Sequence, residues 1–266
     1  MTIISMQNYN FVCLNYYFSL KRMKNIILIG AGNVNYHLGH ALYSAGYNIV
    51  QIISRNEKNA RNLSCKLNAD FETEIDNIKH ADLVIIGVND DSIDNISKKI
   101  TNIPFAHTSG TVCLPSGGVL YPVQTFNKEV SIDFSEVPLC ISSNDDKLKS
   151  SLYKLANSIS NKVYLIKQNQ RKILHLAAVF ACNFSNNMYC IAEDILKESD
   201  LDFEILKPLI IETANKINKY SPNSVQTGPA ARKDYGTIES HIKLLDDENL
   251  RILYNLITRQ ITKRNE

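Results

Sequence analysis

A chain of 266 residues, 44% of them apolar, is long enough for one large domain or two ordinary ones and has the composition of a globular protein. Its net charge of +2, with acids and bases interspersed, leaves no electrostatic footprint for nucleic acid or an acidic membrane surface. The six cysteines show neither a C-x-x-C pair nor metal-ligand spacing, so they read as reduced thiols of a cytoplasmic protein; no apolar run reaches the about 20 residues of a membrane span.

Residues 1–22 are rich in Asn, Tyr and Phe and carry their basic residues last, the reverse of a secretory signal. They are expected to be a leader that is disordered or not native, with the folded chain starting at Met23.

The stretch from Asn25 to Asn35 then organises everything after it. Ile26 to Ile29 read as a buried parallel strand, Gly30 as a tight turn, and Gly32 as the point where a pyrophosphate approaches the backbone. Asn33 and Val34 open an amphipathic helix whose free N–H groups and positive dipole end face that phosphate. The third glycine position of such turns holds Asn35, which puts the packing of helix against phosphate in question. The helix is expected to run from Asn33 to Ala45 and stop at Gly46.

Asn48 to Ile53 is a second strand, ending in Ser54 and Arg55 where an NAD-binding domain tends to carry an acid for the ribose hydroxyls. A guanidinium there suits a 2′-phosphate, so the expected cofactor is NADP(H). Glu57 to Leu67 is a helix, Ala69 to Phe71 a short edge strand, and Leu83 to Ile86 another buried strand. Val88, Asn89 and Asp90 follow that strand's carboxyl end, placed to line the cofactor groove. Asp91 or Ser92 is the expected cap of a helix from Ile93 to Ile100.

His107 and Ser109 cluster at a further strand end, as candidates to meet substrate. An apolar run from Val119 reaches Pro122, as at a sheet edge or strand end, and Gln124 follows it. Val137 to Ser142 and Lys162 to Ile166 read as strands around an amphipathic helix from Asp145 to Ile159.

After Lys167 the period becomes helical. Gln168 to Glu198 contains no Gly or Pro and reads as one long helix, apolar on most sides, for the middle of a helical domain or an oligomer interface. Leu201 to Lys219 is a second helical segment with Pro208 near its start, and the last helices are Ser240 to Leu245 and Glu248 to Ile261. The expected plan is a Rossmann-like, doubly wound, mostly parallel sheet over 23–166 and an all-α domain over 167–266.

His175, Val179, Cys182 and Asn183 share one helical face at i, i+4, i+7 and i+8, and Asn187 continues it. Polar residues on an apolar helix either satisfy neighbours or line a cleft. His175 is the candidate general acid or base, because its ordinary pKa lies near neutrality, with Asn183 beside it. Gln226, Thr227 and Arg232 sit in a Gly-Pro loop longer than a simple helix connection needs, where an arginine can reach a substrate carboxylate.

These pieces together resemble a family of bacterial NADP oxidoreductases with a Rossmann-like domain and a helical C-terminal domain of unassigned function. The resemblance is carried by Ile29 to Val34, His107 to Gly110, Tyr121 to Phe126, His175 to Phe184 and Gln226 to Ala230. It implies NADP binding, a C-domain like that of 6-phosphogluconate dehydrogenase, and a homodimer through the helices. More distant similarity reaches pyrroline-carboxylate reductase, prephenate dehydrogenase, the β-hydroxyacid dehydrogenases and the deazaflavin-dependent NADP reductases. The catalytic lysine that the β-hydroxyacid dehydrogenases carry on the corresponding helix has no counterpart at His175 or Val179. The expected function is hydride transfer between NADP(H) and a small anionic carbonyl, hydroxyl or imine compound. A non-catalytic NADP-binding sensor or oligomeric scaffold is the alternative.

Overall fold

A computed structural model describes residues 23–264; the leader expected over 1–22 lies outside the described residues. The sheet has eight strands: β1 (Asn25–Ile29), β2 (Asn48–Ile53), β3 (Asp70–Glu72), β4 (Leu83–Ile86), β5 (Phe105–His107), β6 (Gly118–Pro122), β7 (Leu139–Ser143) and β8 (Val163–Leu165). Their order is β3-β2-β1-β4-β5-β6-β7-β8. Only the β6–β7 pair is antiparallel. This is the doubly wound Rossmann-like arrangement, extended by a pair of strands beyond β6.

The strands form for the reason read in the sequence. Ile26, Ile27, Leu28 and all four residues of β4 are fully buried, because helices cover both faces of a parallel sheet. Those helices are α1 (Asn33–Ser44), α2 (Glu57–Leu67), α3 (Asp90–Ser97) and α4 (Asp146–Asn157). Gly46, at φ +83°, ends α1 as expected.

Two local expectations are corrected. Helix α3 begins at Asp90 with Asn89 as its N-cap, so Asp91 and Ser92 lie inside the first turn and cap nothing. Pro122 closes β6, at the strand end that was one of the two places expected for it, and β6 lies in the interior of the sheet order. It is tolerated as the last residue of its strand. The helix expected from Gln168 to Glu198 is three elements: α5 (Gln168–Ala178), a π-helical turn (Val179–Phe184) and α6 (Ser185–Lys197). Nothing local announces that turn, since it contains neither Gly nor Pro. In the single chain Arg171 is the one buried residue of α5, while Ile173, Leu176 and Phe180 are exposed.

The chain divides into two compact units between Asn186 and Asn187. The second contains most of α6, then α7 (Lys207–Lys216), α8 (Pro229–Arg232), α9 (Tyr235–Leu244) and α10 (Glu248–Arg264). Pro208 sits in the first turn of α7, where its missing N–H costs nothing. Among the described residues of this unit only Ala230 and Ile238 are buried. No helix of the described residues is long and apolar enough to cross a membrane.

Candidate functional site

The carboxyl ends of β1, β2 and β4 open into a cleft of about 730 Å³. Gly30 stands at φ +97°, and a Cβ there would lie 2.1 Å from the Gly87 carbonyl oxygen, so only glycine fits. Gly32 differs: a Cβ on it would meet nothing within 4 Å, so packing within the chain gives no reason for glycine there.

Asn35 resolves the question raised by the third glycine position. It is fully buried, and its Nδ2 donates to the carbonyls of Ile29 (2.9 Å) and Gly30 (2.8 Å). The side chain thus pins the turn from below. Room for it comes from Gly87, where a Cβ would lie 2.3 Å from Asn35 Oδ1.

Ser54 and Arg55 line this cleft at the end of β2, joined by Glu74 from the loop after β3, which the sequence reading missed. Arg55 is exposed. Val88 and Asn89 line it too, as expected. Asp90 does not; its carboxylate accepts a hydrogen bond from the Thr111 hydroxyl. Asn33 and Val34 are not among the cleft's lining residues; the Asn33 Nδ2 donates to the Phe126 carbonyl at 2.9 Å. Another residue missed in the sequence is Lys128, whose Nζ donates to the Ala31 carbonyl at 2.8 Å, inside the glycine turn. No local signal reveals it, because the contact spans 97 positions.

The second cluster surrounds His107 to Gly110, all four buried. His107 Nδ1 accepts the Ser109 N–H at 3.2 Å, which places the proton of the neutral ring on Nε2. Burial first, then the charge of Arg171, hold the His107 pKa down to about 4, so the ring is neutral at pH 7. The Ser109 hydroxyl accepts the N–H groups of Thr111 and Val112, each at 3.0 Å. Both side chains therefore shape their loop.

His175, half-buried on α5, packs its ring on Gly110. Its Nδ1 is 3.0 Å from the Tyr121 hydroxyl. Burial, before any charge, raises the Tyr121 pKa, so the phenol keeps its proton and can donate it in this bond. The partner is thus a titratable side chain, not a backbone group. One turn earlier, Arg171 is 1% exposed. It donates to the carbonyls of Ser109 (2.5 Å) and Val112 (2.6 Å). It stands at i, i+4 from His175 on the same helix, but among Gln168, Asn169, Gln170 and Lys172 nothing in the sequence singled it out.

Gln124 is exposed, its Oε1 accepting the Thr125 N–H. Asn183 is exposed within the π-helical turn. Such i→i+5 turns insert a residue into the helix and shift the register that α-periodicity predicts. Asn187, Gln226, Thr227 and Arg232 belong to the second unit and are all exposed. Asp234, close to Arg232, is the N-cap of α9: the N–H of Thr237 (3.1 Å) and its hydroxyl (2.8 Å) donate to it, and these bonds lower its pKa. Among the described residues no group of His, Cys, Asp and Glu is arranged to hold a metal.

Two family models match the chain. One, described as "NADP oxidoreductase coenzyme F420-dependent", covers residues 25–107. The other, a "domain of unknown function (DUF2520)", covers residues 137–261. No curated protein matches. Among solved structures, a "putative NADP oxidoreductase" from Bacteroides fragilis is 38% identical over 91% of this chain and 99% of its own, with a TM-score of 0.85. A Thermotoga maritima protein is 22% identical over 90% of this chain and 99% of its own, at 0.77. An imine reductase from Myxococcus stipitatus in complex with NADP+ shares the fold at 14% identity and a TM-score of 0.62, over 90% of this chain and 93% of its own.

Proposed function

We propose hydride transfer between NADP(H) and a small, anionic carbonyl, hydroxyl or imine compound as the reaction of this chain, which belongs to the same family of NADP oxidoreductases as the Bacteroides fragilis protein. The cofactor is NADP(H), and when bound it supplies or accepts the hydride. The observation that carries the reading is the cleft over β1, β2 and β4, with Gly32 open to a ligand and Arg55 at the end where a 2′-phosphate would lie. Gly30, Gly32, Asn33 and Val34 would hold the pyrophosphate, with Lys128 adding charge beside the turn; Ser54 and Arg55 would hold the 2′-phosphate.

What this chain must add is a proton and a place for the substrate. His175 Nε2 carries that proton while Tyr121 donates to Nδ1 and holds the ring. Neutral His107 offers its Nε2–H to the substrate oxygen or nitrogen, and Gln124 and Asn183 supply carboxamides. In the second unit, taken by itself, the exposed Arg232 offers a guanidinium that suits a carboxylate. The apolar residues left exposed on the helices are covered by a second copy of the chain, making a homodimer, and the free thiols suit the cytoplasm.

Titration with NADPH and NADH, followed by nicotinamide fluorescence in a protein without Trp, tests the cofactor end. Arg55→Ala should weaken NADPH at least about tenfold and leave NADH unchanged; equal weakening of both removes the 2′-phosphate contact. In a screen of cyclic imines and oxo acids, His175→Asn should lower kcat by about a hundredfold at unchanged NADPH affinity. Full turnover in that variant would refute the proton role. Tight NADPH binding with no turnover on either class would favour the sensor.

A further inference from the structure

We propose that a second cleft, on the β6–β7–β8 flank of the sheet, binds a small organic anion through a carboxylate or phosphate group. The cleft measures about 470 Å³, within the range of small-ligand pockets. It shares no lining residue with the cofactor cleft, but His107, proposed above to meet the substrate, lines it; the inference rests on the cations of this cleft and not on hydride transfer.

Its lining carries three cations, Lys149, Lys167 and Arg171, and no Asp or Glu. Lys149 is bridged to Asp146 at 2.6 Å, but that carboxylate is 89% exposed and outside the lining. Asp145, beside it, is used as the cap of α4. Lys167 has no acidic partner among the described residues.

Arg171 is the stronger sign. Its guanidinium is buried at 1% exposure, yet its polar partners are two carbonyls and, at 3.8 Å, the Cys113 sulfur; Nε has none among the described residues. Asp90 attracts it from a distance, but Thr111 holds that carboxylate. A buried charge without a counter-ion is costly, and an anion in the cleft supplies one.

The backbone points the same way. Lys167 is the N-cap of α5, and Gln168, in the first turn, lines the cleft. First-turn N–H groups have no partner within a helix and favour negative charge. The N–H of Lys167 itself is taken by Gln170 Oε1 at 2.8 Å.

The test is calorimetric titration of the full chain with inorganic phosphate and, separately, malonate, at ionic strength matched with sodium chloride, without and with NADP+. Saturable binding of at least one probe is expected in both conditions. It should weaken about tenfold or more in Lys167→Glu and Lys149→Glu, both surface lysines, and be unchanged in Arg55→Ala. Preference for phosphate marks a phosphoryl ligand; preference for malonate marks a carboxylate. Absence of saturable binding, equal binding in the lysine variants, or binding lost with Arg55 or displaced by NADP+ overturns the proposal.

Discussion

The sheet unit and the helices after Asn186 bury their apolar residues very differently. In the sheet, Ile26, Ile27, Leu28, Val84 and Ile85 are wholly enclosed. In the helices, Leu244 is 78% exposed, Ile205 64% and Leu209 62%. A parallel sheet closes its core within one chain, because each crossover helix lands on the strands it connects. Amphipathic helices joined by short turns close nothing until something lies on their apolar faces. Cofactor affinity should therefore follow substitutions in the sheet unit, and association should follow those in the helices.

Gly30→Ala should break the sheet side most severely. With φ +97° and the Gly87 oxygen 2.1 Å from the new Cβ, about 3 kcal/mol or more of stability should go, and NADPH binding with it. An unchanged melting temperature would contradict the turn geometry.

On the helical side, light scattering should give twice the chain mass of 30.0 kDa for the native protein and 30.0 kDa for Leu209→Asp. A native mass of 30.0 kDa would show that these faces do not pair with a second copy.

His107 sharpens the picture of the sheet's interior. Its folded pKa of about 4 lies below the ordinary 6.5. Between those values the unfolded chain binds more protons, so stability falls as pH drops through that window. At pH 5 the loss relative to pH 7 should be roughly 2 kcal/mol. Urea melts at both pH values should show this loss, and His107→Gln should reduce it.

Gly32→Ala should have the smallest effect on the fold, within about 0.5 kcal/mol, while weakening NADPH about tenfold. Against Gly30→Ala it separates the glycine that makes the turn from the one that admits the ligand. Equal losses of stability in the two variants would collapse that distinction.

Local pattern by itself determined the first half of the sheet. The limits of α1, β2 and α2 follow from periodicity and Gly46, and the glycine turn and the Ser54–Arg55 strand end mark the cleft proposed for NADP, because each depends on neighbours a few residues away. Tertiary structure decided the rest. Asn35 is accommodated because Gly87 leaves it space; Lys128 reaches Ala31 and His175 meets Tyr121 across 97 and 54 positions. The start of α3 and the π-helical turn also escaped the local pattern, since several polar residues could cap the one and no breaker marks the other. A strand's hydrogen bonds and burial are written into its own residues. A buried polar side chain finds its partner only when the folded chain supplies one.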